Sequence, residues 1–139
     1  STGLSQSIVG VGGVVWHFGG SENTPIVDTT YPSGTSFQTC HADTSLFTID
    51  SSLLVGDFAL VGMLYATGAA TVTAAIVNLS DGAPDTPIAT ISSNSSTGAL
   101  IESITIPFAA GGSEKTYGIK AITSAAIGLA FQIQLVRTA

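Results

Sequence analysis

From Phe58 to Ser80 the chain reads FALVGMLYATGAATVTAAIVNLS, without one charged side chain. A stretch of this length and polarity is either a membrane-crossing helix or a pair of buried strands. Thr67, Thr71, Thr73 and Asn78 lie inside it, TGAAT sits at its centre, and no Lys or Arg flanks it. Spanning helices avoid such interiors and favour basic flanks, so the strands are the better reading. FALVGMLYA and TVTAAIVNL become two strands joined by a Gly-containing turn.

The rest of the chain has the same texture. Helical periodicity is absent, and short β-rich runs recur between strong turn signals such as SDGAPDTP, SNSSTG and AAGGSE. The candidate strands are SFQTCHA, SLFTID, DFALVGMLYAT, TVTAAIVNLS, PIATISS, ALIESITIPFA, KTYGIKAITS and AIGLAFQIQLVRT. Eight antiparallel strands predict an all-β jelly-roll sandwich. No boundary or repeat interrupts residues 35–139, which form the expected domain. Residues 1–34 are expected to be a leader or linker from an upstream fibrous stalk, and Gly- and Val-rich residues 1–20 fit a linker, a strand or a stalk end equally. With no initiator Met and no basic n-region, the chain is expected to be processed or cut from something longer.

Charge narrows the partners. Charged residues make up 9 % of the chain against 45 % hydrophobic ones, where a soluble domain usually carries about 25 % charge. The net charge is −6 and all three cations lie between Lys115 and Arg137. Nucleic acid, which needs clustered Lys and Arg on its phosphates, is disfavoured as a direct partner. So is an anionic bilayer surface. Cys40 is the one cysteine, so no intrachain disulfide is possible.

The strand faces carry the strongest functional signal. In DFALVGMLYA, Phe58, Leu60 and Leu64 hold one parity while Ala59, Val61, Met63 and Tyr65 hold the other. Both faces are apolar, and no helix is available to cover the second. Another copy of the chain is the simplest cover, which predicts a tight homo-oligomer. In the last strand Ile127, Leu129, Phe131, Ile133 and Leu135 are expected to face the core. Gly128, Ala130, Gln132, Gln134 and Val136 are then small or polar enough to meet symmetry-related copies. SITIPF is expected to alternate regularly as well.

Catalytic patterns fail on inspection. GVGGVV places Val15 where a dinucleotide-binding loop needs its third glycine. Asp28 in IVDTT and Asp50 in TIDSS lack the glycine of an aspartic-protease loop and read as turn or strand-end residues. Cys40 and His41 are adjacent, so on a strand they point to opposite faces; with Asp43 near and His17 distant they make no metal-ligand spacing. No G-x-S-x-G elbow accompanies the two histidines. No enzyme, cofactor or metal is expected. The aromatic group Trp16, His17 and Phe18 reads as a pin holding the N-terminal segment, with a sugar-stacking platform as the alternative. Asn78 and Asn94 are formal glycosylation acceptors. Lys115, Lys120 and Arg137 read as solvated strand-end charges, Lys115 beside Glu114. Repeated by symmetry at a subunit junction, the three could instead bind a small carboxylate or other anion.

Taken together, KTYGIKAITS, ALIESITIPFA and the closing AIGLAFQIQLVRTA resemble the trimeric jelly-roll knobs of the tumour-necrosis-factor and complement-globular-head type. Among phage proteins the chain is similar to the knob that caps the tail needle of short-tailed enterobacterial bacteriophages. The resemblance covers roughly residues 35–139 and rests on strand order and texture. It implies a homotrimer whose last strand runs near the three-fold axis, with Met63, Tyr65, Tyr117, Gln132 and Gln134 as interface positions. It further implies a structural virion part: the tip of a tail needle on its own upstream stalk, contacting the host cell envelope during genome ejection. A glycan-binding adhesin or receptor-binding β-sandwich is the alternative expectation.

Overall fold

The computed structural model describes residues 10–20, 38–39, 45–66, 70–81, 86–108, 113–124 and 128–139. Among them are nine strands: β1 (Val14–Gly19), β2 (Gln38–Thr39), β3 (Phe47–Ile49), β4 (Phe58–Ala66), β5 (Val72–Asn78), β6 (Pro87–Ser93), β7 (Ala99–Glu102), β8 (Lys115–Thr123) and β9 (Gly128–Arg137). All pairings are antiparallel. The first sheet has the order β1-β9-β4-β7. In the second, β2 and β3 share one edge of β8, and β5 and β6 follow on its other side. The molecule is a β-sandwich with a single apolar core between the sheets.

Each expected strand segment holds a strand, and the charge-free stretch divides into β4 and β5 as its turn predicted. Among the described residues no helix is long and apolar enough to cross a membrane. The period-2 pattern explains the packing. Phe58, Leu60 and Leu64 of β4 and Val72, Ala74 and Ile76 of β5 are buried on the inner faces. Gly62 completes the β4 row because there is no room for more: a Cβ there would meet the Cδ1 of Ile133 and lie 2.7 Å from the Cδ1 of Ile91 on the facing sheet. Bare backbone is what lets the two sheets close at that point.

Two expectations about the chain's ends of strands change. The sandwich begins before residue 35, because β1 pairs with β9 and sends Phe18 into the core. Of the three options for the leader, residues 14–19 take the strand. Ser45 then fastens β1 to the start of β3: its N–H donates to the Phe18 carbonyl at 2.6 Å and its Oγ to the His17 carbonyl at 2.8 Å. SITIPF, by contrast, does not alternate. The strand ends at Glu102, the Ser103 hydroxyl accepts the Leu60 N–H at 2.9 Å, and Ile104 is left 72 % exposed. Ile106 returns to the core, its N–H donating to the Phe58 carbonyl. Pro107 has no N–H with which to extend a ladder.

Candidate functional site

The terminal strand changes parity midway. Val61 pairs with Gln134, yet Met63 pairs with Phe131, so Gln132 and Ile133 together oppose Gly62 in a β-bulge. Gln132 carries φ +54°, the one described non-glycine residue with positive φ. Beyond the bulge Ile133 and Leu135 fill the core as expected. Before it the parity is inverted: Ala130 is buried and Phe131 stands half-buried on the outer face. The expected assignment of Phe131 to the core and Ala130 to the outer seam is therefore reversed. A strict period of two held only up to the inserted residue.

Register then lays out the outer face of the first sheet row by row. Val14, Val136 and Ala59 form one row. His17, Gln134, Val61 and Glu102 form the next, spanning all four strands. Phe131, Met63 and Leu100 form the third, with Tyr65 beyond them on β4. Leu100 is 66 % and Val14 47 % exposed, while Val61, Met63, Tyr65, Phe131 and Val136 are half-buried in the single chain. The face is apolar apart from its middle row.

The interface positions read from the sequence distribute unevenly over this geometry. Met63, Tyr65 and Gln134 lie on the outer face, and Gln132 is exposed at the bulge. Tyr117 does not join them. It occupies the inner face of β8, fully buried, with the Phe108 ring edge-on at a centroid distance of 5.1 Å and 82°. Its parity with Ile119 and Ala121 dictates this, and its side chain has no surface to offer a neighbour. Val61 shares the face, as the parity of β4 indicated, while Leu100, His17, Glu102 and Phe131 share it unanticipated. These four depend on which strands pair and on the bulge.

The three cations are not gathered within one chain. Lys115 and Lys120 sit five residues apart on β8, about 17 Å at strand rise, and Arg137 ends β9 in the other sheet. Lys115 pairs with Asp81 rather than Glu114, Nζ to Oδ1 at 2.8 Å. That bond, with a 2.7 Å bond from Asn78 Nδ2, holds the Asp81 carboxyl below its ordinary pKa. Asn78 Oδ1 also accepts the Ser80 N–H, so this residue closes the turn after β5. The Arg137 Nε donates to the Ala139 carbonyl at 3.1 Å.

The remaining candidates take structural positions where they are described. Asp50 caps a 3-10 turn at Ser51–Leu53, accepting from the Ser52 N–H and hydroxyl. Trp16 is half-buried, packed on Phe47 at a centroid distance of 5.4 Å, the pin expected of it. His17 is exposed on β1, and Asn94 is exposed after β6. Asp28, Cys40, His41 and Asp43 lie outside the described residues. Among the described residues no group of His, Cys, Asp and Glu is placed to hold a metal. No protein family, curated protein or solved structure matches the chain.

Proposed function

We propose that the chain is a trimeric jelly-roll knob that does no chemistry and forms the tip of a phage tail needle or fibre. One observation carries the reading. The terminal strand β9 lies inside the first sheet, between β1 and β4, and that sheet turns a largely apolar face outward. Such a face needs a cover, and a cover supplied by symmetry costs the genome no second protein.

The jelly-roll element of the proposal draws on strand order. If β2 and β3 are two pieces of one strand, eight strands remain, and the chain changes sheet at every connection except β5 to β6. First and last strands are then neighbours, as the double Greek key requires. Locking three chains in register would cap an upstream stalk, and the loops would meet the host cell envelope during genome ejection. A small carboxylate held between copies by Lys115, Lys120 and Arg137 belongs to the same proposal, since no single chain brings the three together. The sugar-stacking alternative has less support, because the Trp16 ring packs against Phe47.

Sedimentation equilibrium at micromolar concentration tests the assembly: three times the mass of one chain is expected, and a folded monomer would overturn the proposal. Its phage element has a separate test. Fluorescent protein should bind isolated enterobacterial envelopes saturably, and an assembled trimer without affinity for them would remove the tail-tip role while leaving the knob.

A further inference from the structure

We infer that opposite edges of the first sheet meet between copies, so that His17 on β1 of one copy contacts Glu102 on β7 of the next. The inference rests on the self-association proposed above and adds which edge meets which. The two residues occupy the same row of the outer face, at its two ends, and both are exposed. Three strand spacings separate them, about 14 Å, so they do not pair within one chain. Between them the row holds Gln134 and Val61.

A neighbour that brought its like edge to this one would set Glu102 against Glu102. With unlike edges together, an imidazole meets a carboxylate at the same level along the strands. Complementary groups at opposite edges suit a heterologous contact, in which each copy offers two different surfaces and a ring can close. Electrostatic matching of this kind fixes register more than it supplies affinity.

The affinity comes from the adjacent row. The Gln132 bulge turns Phe131 outward beside Met63 and the exposed Leu100, and an aromatic in such a position is the typical interface anchor. A non-glycine residue in the left-handed region is strained, and strain of this sort persists where it serves a function. Four strands at about 4.8 Å and some eight residues at about 3.4 Å give roughly 500 Å² per copy. In a ring that face is divided between two neighbours, so each contact draws roughly 500 Å² in total from it, and the flanking edges of β1 and β7 supply the rest of the roughly 1,000 Å² of a specific interface.

Charge exchange tests the edge assignment. Sedimentation velocity is run on the wild type, His17→Glu, Glu102→Lys and the double variant, with circular dichroism to verify folding. His17→Glu sets two carboxylates together and Glu102→Lys sets two bases together, so each should weaken assembly about tenfold. The double variant restores an opposite pair and should return to within about threefold of the wild type. A wild type that assembles while ignoring the single reversals, or a double variant no better than the singles, overturns the edge assignment alone. A monomeric wild type overturns the self-association reading with it. Phe131→Ser gives a second measurement: it should weaken assembly at least thirtyfold with the β-sheet spectrum retained, and unchanged assembly counts against the anchor.

Discussion

The two sheets of this sandwich share a core but turn different chemistry outward. The outer face of the second sheet carries hydroxyls that satisfy one another: Thr48 with Thr116 at 2.9 Å, and Thr73 with Ser92 at 2.8 Å. Thr90 is exposed beside them, and Lys120 stands on the same face. The first sheet carries Val61, Met63, Tyr65, Phe131 and Leu100 in the equivalent positions. Antiparallel sandwiches ordinarily keep both outer faces wet. The second sheet's outward positions also hold Ala75 and Val77, both fully buried, and half-buried Ile122, so the contrast lies between its exposed hydroxyls and the exposed apolar row of the first sheet.

The contrast is easiest to break at the centre of the apolar face. Met63→Glu is expected to cost assembly about 2–4 kcal/mol, a loss of more than thirtyfold. Thr90→Glu on the hydroxyl face should stay within about 0.5 kcal/mol. Sedimentation velocity on the pair measures both, and equal effects would erase the distinction between the faces.

Glycine substitutions sharpen it from the inside. Gly62→Ala forces a methyl group onto Ile133 and Ile91 between the sheets and should destabilise by about 1–3 kcal/mol in chemical denaturation. Gly118→Ala, on the outer side of β8, meets the Cδ atoms of Leu46 and Leu79 at 3.0 Å. Leu46 is 52 % exposed and free to give way, so the cost there should be under about 1 kcal/mol.

A smaller effect attaches to the bulge. Gln132→Gly removes the penalty of a side chain at φ +54° and should stabilise the isolated fold by about 0.5–1 kcal/mol. A loss of stability would mean that the Gln132 side chain contributes more than its conformation costs. The smallest effect concerns Asp81, whose folded pKa is lowered chiefly by the Lys115 hydrogen bond. A lowered carboxyl pKa stabilises above the unfolded value, and that contribution fades as pH falls through the folded one. Asp81→Asn should flatten the acid limb of the stability profile below about pH 4 while changing little at neutrality.

What the sequence allowed to be read follows the reach of each signal. Strand positions depend on neighbours a few residues away, and the charge-free run, the breaks between β5 and β6 and between β6 and β7, and the Asp50 cap were all legible. The parity of β8 was legible too: Tyr117, Ile119 and Ala121 alternate inward, which is why an interface role for Tyr117 does not survive. The bulge at Gln132 was not, since no glycine marks it and the inserted residue is absorbed against Gly62, seventy positions away. Lys115 was matched with its chain neighbour Glu114, whereas Asp81 reaches it only because β5 lies beside β8. The composition of the first sheet's outer face depends in the same way on β9 lying between β1 and β4, a fact about pairing rather than pattern.

That placement of β9 also has a kinetic side. It is the last of the nine strands to be synthesised, yet it supplies the middle of its sheet. Until it emerges from the ribosome, β1 and β4 have no ladder between them, and the apolar rows of β4 stand beside an open edge. Contacts between β1 and β9 join residues more than a hundred positions apart, a closure of the kind that makes β-proteins slow to fold. Nascent chains of this protein should therefore gather their first native order in the second sheet, around β5 and β6, and complete the first sheet last.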